Sequence, residues 1–113
     1  MSEWLDICHI NDLQADSGVC ALVKEQQVAL FYLVEEQKVY AINNYDPFGK
    51  IYVLSRGLIG DIKGEPMVAS PLYKQHFSLK TGQCFEDENV KVPTYSARIK
   101  GERVEVNLDR NAA

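Results

Sequence analysis

Short apolar segments separated by polar turns predict a chain built almost entirely of β-strands. Residues 28–34 are rich in β-branched and aromatic side chains, and residues 39–42 resume the apolar pattern after four polar residues. This spacing predicts a β-hairpin, because the polar residues supply the turn between two apolar strands. A second hairpin is predicted near the C-terminus, where residues 97–99 and 104–106 alternate with period two around a turn at 100–102.

Further strands are predicted at residues 19–22, 67–69 and 76–79, whereas the helical signal is weak. No stretch of a dozen residues keeps apolar positions at helical spacing. Asn11-Asp12-Leu13 is expected to cap a single turn, since Asn and Asp bind free N–H groups at helix starts. The sequence therefore predicts an all-β fold, a small sandwich of short antiparallel strands in one domain over residues 1–113. Residues 109–113 are expected to form a flexible tail.

Length and charge exclude several classes of function. The chain has 113 residues, which suits one domain with a core of its own. Its 12 basic and 16 acidic side chains give a net charge of −4, so the basic excess that nucleic-acid binding needs is missing. No apolar run reaches the roughly 18–20 residues that span a bilayer, and the N-terminus is acidic where a signal peptide is basic. We therefore expect a cytoplasmic protein with no membrane or nucleic-acid partner.

Three cysteines and two histidines offer little chemistry of their own. Cys8, Cys20 and Cys84 are odd in number and lack a CxxC spacing, so they indicate neither a disulfide framework nor a redox pair. Cys20, inside an apolar run, is expected in the core, and Cys84, after a turn, is expected to be more exposed. His9 and His76 have no second ligand at a metal-site spacing. The sequence thus predicts no catalytic residue and no metal site.

Two segments, at residues 43–50 and 70–75, do not fit the hairpin pattern. Each follows a predicted strand and contains a proline, Pro47 in the first and Pro71 in the second. Proline fixes φ and removes a backbone donor, so both segments are expected to be structured loops. Structured loops on a rigid sheet are where functional sites usually lie.

The order of these segments resembles that of a Rieske-type domain, with residues 54–57 (Leu-Ser-Arg-Gly) between the two loops. In that family the first loop carries Cys-x-His and the second Cys-x-x-His, and these side chains hold a [2Fe–2S] cluster. The matching positions here are Asp46 and Phe48 in the first loop and Ser70 and Tyr73 in the second. All four ligand identities are therefore replaced.

The replaced side chains predict a domain without a cluster. Phe48 has no donor atom, Ser70 is a poor ligand for iron, and only Asp46 could bind a metal readily. Phe48 and Tyr73 stand where the two imidazoles would be, so we expect them to pack together as an aromatic plug between the loops. In the alternative arrangement, each ring packs separately on its own loop.

A cluster-free chain of this kind is similar to the small subunits of NADH-dependent nitrite reductases. That resemblance implies an accessory role beside a large catalytic subunit, which reduces nitrite to ammonium with FAD, an iron–sulfur cluster and sirohaem. This chain would carry no cofactor and would be inactive alone, because side chains do not perform such redox chemistry and no glycine-rich nucleotide loop is present. The resemblance is carried by residues 4–8, 18–22, 41–44, 46–48, 53–59, 68–72, 74–77, Cys84 and residues 86–88.

The partner interface is predicted at the two loops, with Phe48, Arg56, Tyr73 and Lys74 as its candidate residues. Arg56 suits an interface because its planar guanidinium presents several donors, whereas Leu58 beside it is expected in the core. Two alternatives to this function remain open. One is a Rieske-type electron-transfer protein with rearranged cluster ligands, and the other is a cluster-free module that binds a different protein or a small molecule.

Overall fold

The predicted hairpins assemble into antiparallel sheets. A computed structural model describes residues 3–109, and none of the helices in this range is long and apolar enough to cross a membrane. The expected tail lies outside the described residues, apart from Asp109. The strands are β1 (Leu5–His9), β2 (Gly18–Val23), β3 (Gln26–Leu33), β4 (Lys38–Asn43), β5 (Tyr45–Asp46), β6 (Ile51–Tyr52), β7 (Leu58–Ile62), β8 (Glu65–Ala69), β9 (His76–Ser78), β10 (Thr94–Lys100) and β11 (Arg103–Asn107).

A six-stranded sheet in the order β1-β11-β10-β4-β3-β2 forms the larger layer. Both predicted hairpins are confirmed: β3 pairs with β4 from Val28↔Asn43 to Leu33↔Lys38, and β10 pairs with β11 around Gly101. Gly101 has a φ of 62°, a left-handed conformation that glycine adopts without steric cost in a tight turn. Residues 28–31 of β3 are all buried, so both faces of the sheet are covered there, and a one-residue slip in register would exchange the side chains of the two faces.

A three-stranded sheet, β7-β8-β9, and the small β5–β6 hairpin complete the fold. The strands β8 and β9 were predicted from their apolar residues, whereas β1, β5, β6 and β7 were not. Two apolar clusters form the core: the first joins residues of the six-stranded and three-stranded sheets, and the second is formed largely by the six-stranded sheet. Phe31, Leu54 and Phe77 are central to the first cluster and Val28, Val104 and Val106 to the second.

Local details correct several expectations from the sequence. The single helical turn is a 3₁₀ turn at Ile10–Asp12, and its cap is His9, whose ring accepts a hydrogen bond from the Asn11 N–H. Leu58 is 75% exposed, so its expected place in the core is wrong. It lies opposite Ala69 on β7, a strand that pairs on one side only. Successive side chains of a strand point to opposite faces of the sheet, and the next residue, Ile59, packs against an apolar cluster, so Leu58 faces water.

The expectations for Cys20 and Cys84 are both reversed. Cys20 is exposed because β2 is an edge strand and the residue lies on its outward face, with Leu22 two positions further along. Cys84 is 2% exposed because its segment forms a bridge to Phe77 and closes over the first apolar cluster. Burial raises the pKa of the Cys84 thiol, which disfavours the reactive thiolate.

Candidate functional site at the two loops

Both loops leave the ends of well-ordered strands. Loop 1, residues 44–53, follows β4 and contains the β5–β6 hairpin, and loop 2, residues 70–75, follows β8. Asn44 anchors loop 1: its N–H donates to the Gln27 carbonyl (2.9 Å), and its side-chain oxygen accepts from the Ser55 N–H (2.7 Å). Only 2% of Asn44 is exposed, so these bonds hold the base of the loop in a water-free setting.

Asp46 shapes the turn within loop 1. Its Oδ1 accepts hydrogen bonds from the N–H groups of Phe48 (2.8 Å) and Gly49 (3.2 Å). Its carbonyl accepts from the Lys50 N–H at 2.7 Å. A carboxylate that binds backbone donors two and three positions ahead is a standard way of fixing a turn around proline. The Asp-Pro-Phe-Gly sequence therefore makes a rigid turn.

Ser70 has the matching role in loop 2. Its hydroxyl oxygen accepts from the Leu72 N–H (3.3 Å), and its own N–H donates to the Gln75 carbonyl (2.9 Å). Lys74, between them in sequence, adopts a φ of 63°. This left-handed residue lets the chain reverse direction within six residues and return to β9.

A hydrogen bond between two of the former ligand positions joins the loops. The Ser70 hydroxyl donates to Asp46 Oδ2, and the two residues are 1% and 0% exposed. These residues stand at the positions where the Rieske pattern has its two cysteines. The connection that a metal cluster would provide is thus made directly between two side-chain oxygens. Hydrogen bonds that involve a carboxylate are stronger than neutral ones, and burial excludes competing water.

The aromatic plug expected from Phe48 and Tyr73 is wrong. Phe48 packs instead on Phe77 of β9, with ring centroids 6.2 Å apart and planes tilted by 47°. Tyr73 is 66% exposed and points away from the core. The alternative, in which each ring packs on its own loop, does not describe Phe48 either, because Phe77 belongs to β9. Phe77 is fully buried in the first apolar cluster, and Phe48 packs against that cluster.

Three apolar side chains and two lysines are exposed on the two loops. Leu72 reaches across to loop 1, where its Cδ1 lies so close to Gly49 that a β-carbon there would be 2.3 Å away. We call the group Lys50, Ile51, Leu72, Tyr73 and Lys74 the loop tip. Its apolar members are 45–66% exposed, and both lysines are exposed. An apolar patch with a charged rim is typical of a surface that binds another protein.

The predicted interface residues are thus only partly brought together. Tyr73 and Lys74 belong to the loop tip, but Phe48 is half-buried on Phe77. Arg56 is exposed at the end of the 3₁₀ turn Leu54–Arg56, which follows loop 1 and packs on β2 and β3. Sequence reasoning missed Ile51 and Leu72. Leu72 directly follows Pro71, a position that could have identified it, whereas Ile51 lies four residues after Pro47 and had no comparable signal.

Below loop 2, His76 binds the segment that covers Cys84. The His76 N–H donates to Glu86 Oε1 (2.7 Å), and its Nδ1 lies 2.5 Å from Glu86 Oε2. Burial acts to raise the pKa of Glu86, but the hydrogen bonds from His76 and the attraction of its ring outweigh burial, so the pKa is lowered overall. Glu86 therefore ties the acidic turn at residues 86–88 to β9.

The donor set of the loops does not fit a Rieske cluster. Such a cluster needs two thiolates and two imidazoles, whereas the four positions hold a carboxylate, a phenyl ring, a hydroxyl and an exposed phenol. Cys84 and His76 do not substitute for them, because both are engaged with Glu86. Across residues 3–109, no group of three or more His, Cys, Asp or Glu side chains is arranged to hold a metal ion.

Comparison with known proteins identifies the class to which this fold and loop pair belong. Residues 3–107 match the model of the Rieske-like [2Fe-2S] domain, and the chain belongs to this family. Within the family it groups with the nitrite reductase small subunits. It is 52% identical over 100 residues to the nitrite reductase (NADH) small subunit of Escherichia coli K12, an alignment that covers 88% of this chain and 93% of that protein.

Two further relatives support this grouping. The solution structure of the Escherichia coli protein NirD superimposes with a TM-score of 0.86 at 50% identity, covering 95% of this chain and 97% of that one. A nitrite reductase [NAD(P)H] large subunit of Klebsiella oxytoca is 37% identical over 101 residues. That match covers 89% of this chain but 10% of the large subunit, so a domain of this kind also occurs within a much longer protein.

Proposed function

We propose that this chain is a cluster-free accessory subunit that binds the large catalytic chain of an NADH-dependent nitrite reductase through its loop tip. The observation that carries the proposal is the hydrogen-bonded pair Asp46–Ser70, which closes the loops without metal and leaves Leu72 and Tyr73 facing outward. The similarity to small subunits, and to part of a large subunit, supports the choice of partner. A rigid apolar surface binds well because little conformational entropy is lost on docking.

The division of chemistry follows from the side chains. Reduction of nitrite to ammonium requires redox cofactors, which the proposal assigns to the large chain as FAD, an iron–sulfur cluster and sirohaem. This chain, acting as one cytoplasmic domain, would contribute no catalytic group and would be inactive alone. Its effect on the reaction would come from contact with the large chain, with Arg56 and Lys74 adding polar contacts around the apolar anchors.

Changes at the loop tip should weaken the complex with the large chain. We expect Tyr73→Ala and Leu72→Asp each to raise the dissociation constant roughly tenfold or more, because exposed anchors of this type carry most of the binding energy. The measurement is titration of the purified large chain with each variant by biolayer interferometry. Thermal unfolding of each variant alone checks that the fold is kept.

The matched control is Leu22→Asp, which alters a leucine that is 74% exposed on the edge strand β2 and belongs to neither loop. We expect this variant to bind as the unaltered chain does. Equal affinity of all three variants would contradict the proposed interface. If the unaltered chain does not bind the large chain at micromolar concentration, the proposed function itself is wrong, and a different protein or small-molecule ligand becomes the better hypothesis.

Iron analysis separates the accessory role from the electron-transfer alternative. The purified chain is expected to be colourless, with less than about 0.1 iron atom per chain, because the loops lack thiolate and imidazole donors. Visible absorption and iron should be measured after expression with ample iron and sulfide. Stoichiometric iron with a brown colour would favour a rearranged cluster. A sample of an authentic Rieske ferredoxin, prepared in parallel, shows that the conditions permit cluster loading.

A further inference from the structure

The six-stranded sheet is split between β4 and β10. These strands pair only at Thr94↔Ile42 and Tyr95↔Ala41. Beyond this point β4 continues with β3 alone, as far as Lys38, and β10 continues with β11 alone, as far as Lys100. The two strands diverge and leave a cleft of about 570 Å³, within the usual range of binding clefts. The residues lining it include Lys38, Tyr40, Lys80, Tyr95 and Arg98.

The walls of this cleft are two strand segments, each of which pairs with a neighbouring strand on one side only. A strand with a partner on one side directs half of its backbone N–H and C=O groups to the other side. At residues 38–40 and 97–99 that other side is the cleft. Such facing edges suit an extended peptide, which can add ladder hydrogen bonds to either wall by strand addition. The cleft lies at the beginning of β4, whereas loop 1 follows the end of that strand, so it is separate from the loop tip.

The basic side chains that line the cleft indicate which kind of peptide it would bind. Lys38, Lys80 and Arg98 line it, and no carboxylate does. Arg98 is already engaged: its Nε lies 2.7 Å from Glu105 Oε1, and its guanidinium lies 4.0 Å from the centre of the Trp4 ring. Lys38 and Lys80 have no ion pair within residues 3–109, so their charges are available.

Besides Glu105, which pairs with Arg98, a second acidic side chain contacts a residue that lines the cleft. Glu36 accepts a hydrogen bond from the Tyr40 hydroxyl (2.7 Å), and burial together with this carboxylate raises the pKa of Tyr40 to about 12. The phenol therefore remains neutral at physiological pH and adds no charge of its own. Two available lysines on a protein of net charge −4 make this cleft a local basic site. Electrostatic complementarity then favours an acidic occupant.

We propose that the cleft between β4 and β10 binds an extended acidic segment of the large catalytic chain. This inference rests on the proposed function, and it adds a second contact at a distance from the loop tip. Carboxylates of the segment would pair with Lys38 and Lys80, and its backbone would form hydrogen bonds with residues 38–40 or 97–99. Two separate contacts would fix the orientation of the subunit, which a single small patch fixes poorly.

Charge reversal tests the proposal. Lys38→Glu and Lys80→Glu are each expected to raise the dissociation constant for the large chain about five- to tenfold, with a weaker effect in 0.5 M salt because screening shortens the range of the attraction. The control is Lys63→Glu, which makes the same charge change in the turn between β7 and β8 and should alter affinity less than twofold. Hydrogen exchange of the unaltered complex should show protection of backbone N–H groups at residues 38–40 or 97–99.

The outcomes separate this inference from the proposed function. If the loop-tip variants weaken binding but both cleft variants behave like Lys63→Glu, the proposed function stands and the cleft proposal is overturned. Absence of hydrogen-exchange protection at both walls overturns it as well. Self-association of the chain alone that Lys38→Glu or Lys80→Glu abolishes would assign the cleft to a second copy instead. Failure of the unaltered chain to bind the large chain refutes both proposals together.

Discussion

Replacing Asp46 with alanine is expected to lower the free energy of unfolding by about 2–4 kcal/mol, because buried hydrogen-bonding groups lose their partner. Asp46 Oδ1 and Oδ2 together accept from the Ser70 hydroxyl and the N–H groups of Phe48 and Gly49. Alanine leaves all three donors without that acceptor. Urea denaturation followed by circular dichroism measures the loss as a shift of the midpoint at constant m-value.

Two further variants identify the source of this effect. Asp46→Asn keeps an oxygen for the Phe48 and Gly49 N–H groups, and the Ser70 hydroxyl can accept from the new amide, so the loss should stay below about 1.5 kcal/mol. Ser70→Ala removes the contact between the loops and should fall between the other two variants. A loss below about 0.5 kcal/mol for Asp46→Ala, the size of an ordinary surface substitution, would refute the role assigned to this pair.

Phe77→Ala is expected to be at least as costly, at about 3–5 kcal/mol, because it opens a cavity in a close-packed core. Phe77 is fully buried and supports the Phe48 ring of loop 1. Its loss should therefore disorder loop 1 as well as destabilise the sheet. Urea midpoints measure the stability, and hydrogen exchange of residues 44–53 measures the state of the loop.

Phe77→Leu provides the comparison for this variant, because leucine refills part of the cavity and keeps an apolar surface under Phe48. We expect a clearly smaller loss of stability and near-normal protection of loop 1. If Phe77→Ala left the exchange of loop 1 unchanged, the contact between Phe48 and Phe77 would not be what holds the loop inward.

Much of the fold could be predicted because the hairpins are local. The alternation of residues 97–99 and 104–106, and the polar turn after residue 34, each identify neighbouring strands without reference to the rest of the chain. The strands β5, β6 and β7 escaped prediction because they are short or expose much of their surface. Two-residue strands such as Ile51–Tyr52, both half-exposed, carry no periodic signal at all.

The position of a strand within a sheet is not a local property, and this explains the errors at the cysteines. Cys20 lies in an apolar run, but β2 has a neighbour on one side only, so the outward positions of the run meet water. Cys84 lies near a glycine turn that suggested exposure, yet the segment folds back onto Phe77. Both outcomes depend on contacts between residues distant in sequence.

Prediction of the two loops from the sequence was limited in the same way. Their place in the chain and the loss of cluster ligands could be predicted from the sequence at Asp46, Phe48, Ser70 and Tyr73. How the loops close could not. The sequence predicted that Phe48 and Tyr73 would close the loops, because they stand at the two former imidazole positions, whereas in the structure Asp46 and Ser70 join them. Only the packing around Phe77 decides which pair can meet.

Closure of the loops by oxygen atoms also has a consequence for how the protein matures. A metal cluster must be assembled from delivered iron and sulfide, and it can be lost to chelators or to air. Asp46 and Ser70 are present as soon as the polypeptide leaves the ribosome, and nothing inorganic is needed for them to meet. The shape of this surface, as Asp46 and Ser70 fix it, therefore requires no bound iron.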